Sequence, residues 1–123
     1  MNKQQYQMIR ALEAEGVTYQ DAQALRRISM TLRRWYEREC GAYGGCVERD
    51  DETGLTYWCN PDVGTRYRTR DMETGALKRL AAIMARYPHL THYIQGDSRG
   101  AALYILPAGV SKGSYYNRGI AVY

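Results

Sequence analysis

The chain has no phenylalanine and only three prolines, three lysines and two histidines among its 123 residues. No apolar run approaches the ~20 residues that a bilayer-spanning helix needs. The opening stretch MNKQQYQMIR is polar where a secretory signal carries an apolar core, so a cytoplasmic location is expected. Cysteine is scarce and odd in number: Cys40, Cys46 and Cys59, with five and twelve residues between them. That spacing lacks the short C-x₂₋₄-C pair typical of zinc knuckles, and a fourth ligand would have to come from His89 or His92. Reduced thiols and no bound metal are therefore expected.

Catalytic patterns are missing as well. There is no H-E-x-x-H, no G-x-S-x-G and no G-x-x-x-x-G-K-[ST] phosphate loop. The glycines of GAYGG (41–45) are not followed by the lysine and hydroxyl residue that a phosphate loop uses. Paired carboxylates occur only in a turn-like setting, at Asp50 and Asp51. His89 and His92, with Asp97 or a cysteine elsewhere, mark the one place where a base can be recruited. The reading is a protein without catalytic residues and without a cofactor.

What the chain has instead is arginine and tyrosine. Fourteen arginines stand against three lysines, and twelve tyrosines and two tryptophans supply all the aromatic surface. Arginine offers a planar fork for carboxylates and phosphates and stacks on rings. Tyrosine buries a ring while its hydroxyl seeks a partner, which suits core margins and interfaces. The net charge of +4 is modest, so an acidic partner or nucleic acid is permitted but not demanded.

The length fits one domain over residues 1–123. Residues 3–15 read as a helix with Tyr6, Ile9 and Leu12 inward, ended by Gly16. Thr18 and Asp21 resemble a capping box opening a second helix to about Cys40. Its apolar stripe is Ala22, Leu25, Ile28, Leu32, Trp35 and Tyr36, with Arg26, Arg27, Arg33, Arg34 and Arg38 on an outer basic face. After GAYGG the period changes to two. CVERDDETGLTYWCN (46–60) reads as strand, turn, strand, and RYRTR (66–70) as a third strand with Arg66, Arg68 and Arg70 on one face. A third helix is expected from Glu73 to Tyr87, capped by Asp71 or Thr74, with Leu77, Leu80, Ala81 and Met84 inward and Pro88 as its stop. THYIQ, AALYIL and GIAVY follow as strands. The expected class is α+β: an N-terminal αα-hairpin, an antiparallel β-meander, a third helix and further antiparallel strands.

The repeat RGAALY (99–104) and RGIAVY (118–123) reads as two strands sharing a burial pattern. Leu103, Ile105, Ile120 and Val122 fall on one face, and Tyr104 and Tyr123 on a shared second surface. Arg99 and Arg118, at strand starts, then sit at opposite ends of an antiparallel pair.

Two surfaces are candidates for binding. The first two helices have the spacing of a helix-turn-helix, with Tyr19, Gln20 and Gln23 toward bases and Arg26 and Arg27 toward phosphates, although the second helix is long for that motif. The alternating arginines of TRYRTR can track a phosphate backbone, but neighbouring acids favour their being the solvated guard of an edge strand. Exposed aromatic and arginine residues carry much of the energy at protein interfaces. The binding-surface candidates are Arg26, Arg27, Arg33, Arg34, Trp58, Arg66, Arg68, Tyr93, Tyr104, Tyr115 and Tyr116.

Along ALRRISMTLRRWYERECG (24–41), RLAAIMARYPHL (79–90) and GDSRGAALYIL (96–106), the chain resembles a group of small uncharacterised accessory proteins of temperate bacteriophages and integrated elements of Gram-negative bacteria. The resemblance is of texture over most of the chain and brings no catalytic residues. It implies a bacterial cytoplasm and an accessory role, such as an anti-defence inhibitor of the anti-CRISPR kind. The expected function is stoichiometric binding to a host protein or nucleoprotein complex, with a homo-oligomer also permitted and no membrane partner. The alternative is a small nucleic-acid-binding regulator that uses the first helix pair.

Overall fold

Asn2 opens the first helix, α1 (Lys3–Ala14), through a reciprocal capping box. Its side chain accepts from Gln5 N at 2.8 Å, and Asn2 N donates to Gln5 Oε1 at 3.1 Å. α1 closes in a Schellman arrangement. Gly16 N donates to Glu13 O, Val17 N donates to Leu12 O, and Gly16 sits at φ 91°. Leu12 and Val17, which this turn brings together, are both buried in the core. Thr18 then caps α2 (Tyr19–Glu39), accepting from Asp21 N at 3.1 Å.

The computed structural model describes residues 1–39, 45–49, 56–60, 65–68, 74–97, 100–109 and 119–123. After α2 come β1 (Gly45–Arg49), β2 (Thr56–Asn60) and β3 (Thr65–Arg68), then α3 (Thr74–Met84), β4 (Leu90–Asp97), β5 (Gly100–Pro107) and β6 (Ile120–Val122). The strands form one sheet in the order β3-β2-β1-β4-β5-β6, and every neighbouring pair is antiparallel. The α+β class is thus observed in the expected element order. β1 joins β4 through two residue pairs, Gly45 with Gly96 and Cys46 with Gln95. β4 and β5 pair along their whole length, from Leu90 with Pro107 to Asp97 with Gly100.

The helices lie over β4–β6: α3 packs on β4, α2 on β5 and on α3, and α1 on β6 and on α2. Between the layers sits a core of Met8, Ile9 and Leu12 from α1, and Ala22, Leu25, Ile28, Leu32 and Trp35 from α2. α3 adds Ala76, Leu80 and Ile83, and the strands add Ile94, Leu103, Ile105 and Val122. The expected stripe of α2 is observed through Trp35, while the side chain of Tyr36 lies outside the described residues.

Four sequence expectations change. Tyr6 is 55% exposed, with the Arg10 guanidinium 5.6 Å above its ring, and Met8 takes the buried place. At about 100° per residue, Tyr6 lies about 200° around the helix from Met8, so both cannot face inward. In α3 the buried line is Ala76, Leu80, Ile83 and Tyr87, at helical spacings of four, three and four, which leaves Ala81 exposed. The helix itself ends at Met84, and Tyr87 reaches the core from the turn that follows. Tyr104 is paired with Ala121, whereas Tyr123 packs against the helix-side core, so the two tyrosines do not share a surface. Leu103, Ile105, Ile120 and Val122 do share the core face, as their alternation predicts. Arg99, Arg118, Asp71 and the GAYGG glycines before Gly45 lie outside the described residues.

One buried polar contact ties the helical layer to the sheet. Ser29, 2% exposed, donates its Oγ proton to Val122 O at 2.7 Å. Ser29→Ala leaves that carbonyl without its partner and should lower stability by about 1–2 kcal/mol, read as a shift of the urea midpoint with an unchanged slope.

Candidate functional site: a basic groove between α2 and α3

α2 and α3 pack side by side, and their outer flanks form a groove of about 500 Å³. Ala24, Ile28, Ala82 and Ile83 make its apolar floor, and Thr31 adds a hydroxyl. Arg27, Arg79, Arg86 and Asp21 make its polar rim. The helix period explains the arrangement. Asp21, Ala24, Ile28 and Thr31 follow spacings of three and four along α2, while Arg79, Ala82, Ile83 and Arg86 do so from α3 into the turn after it.

The rim arginines are not equivalent. Arg86 is committed to the fold: Nη2 reaches Asp21 Oδ1 at 2.6 Å and Nε donates to Oδ2 at 3.1 Å, a two-pronged carboxylate contact. Arg27 and Arg79 are exposed, and neither guanidinium has a hydrogen-bond or ion-pair partner among the described residues. Arg79 lies back over Gly75, where an added Cβ would meet its Nη1 at 3.3 Å. Three arginines and one aspartate give the rim an excess of two positive charges.

One end of the groove is fixed by a latch. Tyr87, 7% exposed, donates its hydroxyl proton to Asp21 Oδ2 and accepts from Thr18 N at 3.1 Å. His89 Nε2 lies 2.7 Å from Glu15 O, and its ring stands edge-on to Tyr87. The turn after α3 thereby clasps the α1–α2 connection. The Arg86 hydrogen bonds hold the Asp21 carboxyl below the usual carboxylate range. Partial desolvation opposes that shift, and the Tyr87 hydroxyl reinforces it.

A depressed folded-state pKa means that this carboxylate's stabilisation is present above the unfolded value of ~3.9. It is lost as pH falls through the lower folded value. Tyr87→Phe removes the hydroxyl shared by Asp21 and Thr18. It should lower the neutral-pH stability by about 1–2 kcal/mol and flatten the loss of stability as pH falls below about 4, measured by urea unfolding at each pH.

Of the residues singled out from the sequence, Arg27 lines the groove. Arg26 and Arg33 lie half-buried one helical register away, and the Arg26 Nε is buried without an acceptor among the described residues. Arg34 is exposed but outside the groove. These four arginines of α2 therefore divide between two flanks rather than forming one basic face, and the side chain of Arg38 lies outside the described residues. Tyr93 and Tyr104 are directly paired and half-buried on the strand positions opposite to the core-facing ones. Trp58 is paired with Val47 and Tyr67, Arg66 with Cys59, and Arg68 with Tyr57, all in the meander. Tyr115 and Tyr116 lie outside the described residues.

For the helix-turn-helix alternative, Tyr19 and Gln20 are exposed at the start of α2, and Gln23 donates to the Tyr19 hydroxyl at 2.8 Å. Arg79, Arg86 and Asp21 were not anticipated as site residues. Their signal was present as an arginine pair seven apart and one acid facing them, but it can be read only once α2 and α3 are known to be neighbours. Among the described residues no group of three or more histidine, cysteine or acidic side chains is placed to hold a metal ion, and no helix is long and apolar enough to cross a membrane.

No family model, curated protein or solved structure matches this chain.

Proposed function

We propose that this chain is a stoichiometric binding protein that captures an acidic segment of a partner protein in the groove between α2 and α3. The observation that carries the reading is the pair of exposed guanidiniums, Arg27 and Arg79, which have no partner among the described residues and stand above the apolar floor of Ala24, Ile28, Ala82 and Ile83. An apolar floor with cations at its rim complements a segment that presents aliphatic side chains flanked by Asp or Glu. Arginine suits this role because its planar fork meets carboxylates in two-pronged fashion and sheds water readily. Arg86, already satisfied by Asp21, serves as a fixed wall rather than a ligand. On the resemblance noted above, the partner is a host protein met by a bacteriophage or mobile-element accessory factor acting in the bacterial cytoplasm.

The test compares the wild-type chain with an Arg27→Glu/Arg79→Glu variant and an Arg10→Glu control on α1. Each is immobilised and offered Gram-negative lysate at physiological salt, then a synthetic Leu/Glu amphipathic peptide and its Leu/Gln counterpart. The reading expects one host protein retained by wild type and control but not by the variant, and the acidic peptide preferred over the neutral one. Equal retention by the variant, or no preference for the acidic peptide, overturns it. Retention of duplex DNA or RNA instead, falling steeply with salt, would move the assignment to a nucleic-acid regulator.

A further inference from the structure

The meander places two of the three cysteines opposite one another. Cys46 of β1 is the direct register partner of Cys59 in β2. The same row continues outward to Arg66 of β3, opposite Cys59, and inward to Gln95 of β4, opposite Cys46. Residues directly opposed on antiparallel strands share a face of the sheet, with Cα atoms about 4.5–5.5 Å apart. A disulfide needs a Cα separation of about 4.4–6.8 Å. The register thus brings the two cysteines within bridging range whichever kind of ladder pair they occupy, with no change in strand pairing.

We propose that Cys46 and Cys59 form a reversible intramolecular disulfide across β1 and β2, a redox-responsive site that is independent of the groove. The chemistry requires a disulfide oxidant of the oxidised-glutathione class. One cysteine thiolate attacks that disulfide, forms a mixed disulfide and releases one glutathione thiolate. The second cysteine thiolate then attacks the protein sulfur of the mixed disulfide and releases the other. Two protein thiols are oxidised to one disulfide, one glutathione disulfide is reduced to two glutathione molecules, and the two thiol protons pass to solvent or to the leaving thiolates. The oxidised form ties β1 to β2 by a covalent bond. In a reducing cytoplasm the dithiol is the resting form, and the bridge forms when the glutathione pool shifts toward its disulfide.

The full-length protein, reduced and then equilibrated with glutathione mixtures of increasing disulfide content, tests this. Free thiols are trapped with an alkylating reagent and counted by intact mass, and the linked peptides are mapped by mass spectrometry. The expected result is loss of two thiols in one step in a monomer, a single cross-linked peptide joining residues 46 and 59, and full reversal by reduced glutathione. Cys40→Ser should retain the step, and Cys46→Ser or Cys59→Ser should abolish it. Because the wild-type peptide map reports the pairing directly, the test does not depend on those last two variants folding. Three alkylatable thiols at the most oxidising mixture, stable glutathione adducts without a bridge, a bridge to Cys40 or an intermolecular one would each overturn the proposal.

Discussion

Trp35→Ala should lower stability by about 3–5 kcal/mol, the range for truncating a large buried aromatic side chain. Trp35 is 1% exposed and belongs to the same buried cluster as Leu32, Leu25 and the strand residues beneath α2. A domain of ordinary stability holds about 5–15 kcal/mol in all, so this one change removes roughly a fifth or more of the margin. The cause is specific: the ring's contacts are lost, and the space it leaves cannot close while Leu32 and the β5 side chains remain in place. Circular dichroism during urea unfolding is the appropriate measurement, because the substitution also removes one of only two tryptophan fluorophores. Trp35→Phe fills part of the space and should recover much of the loss. A Trp35→Ala change below 1 kcal/mol would mean that α2 does not seat on the sheet at this position.

Arg27→Glu/Arg79→Glu should have the opposite profile, a large effect on binding and little on folding. Both side chains are exposed and have no ion-pair partner among the described residues, so stability should stay within about 0.5 kcal/mol of wild type. Against an acidic ligand the reversal converts two attractions into two repulsions. The expected loss is about 3 kcal/mol, on the order of 100-fold in Kd. Much of it should fall on the association rate and shrink as salt is raised, because rim charges act through a screened field. Charge reversal at Arg86 would be a poor test of the same idea, since it would break the contact with Asp21 and disturb the latch.

The sequence makes local structure legible wherever one element carries its own signal. The Gly16 stop, the Thr18 cap, the α2 stripe from Ala22 to Trp35 and the alternation of Leu103 and Ile105 are each determined within a few residues, and each is observed. The Asn2–Gln5 capping box was equally local and was missed only because the helix start was read from its apolar residues. The errors arise where two neighbouring phases of one helix both offer apolar residues. In α3, Leu77 and Met84 do pack against the core as expected, but Ala81 is exposed while Ala76, Ile83 and Tyr87 are buried, and only the packing partner decides the phase. The candidate groove is less legible still. Arg27 was recognised as one of several surface arginines, but its companions come from an element about fifty residues away, and no pattern inside either helix announces that they will face each other. The Cys46–Cys59 pairing was hidden for the same reason: twelve intervening residues have no motif value until the strand register is known.

The seating of α1 on β6 has a consequence for biosynthesis. Residues 3–14 pack on the sheet at residues 120–122, and Ser29 must wait for Val122. A nascent chain still lacking that segment cannot close the core, however well its first two helices have formed. At a synthesis rate of about 5–20 residues per second, the apolar faces of α1 and α2 wait several seconds for their last strand. Closing this core pays a long loop closure, and the young helix pair is an expected client for chaperones that shield exposed apolar surface.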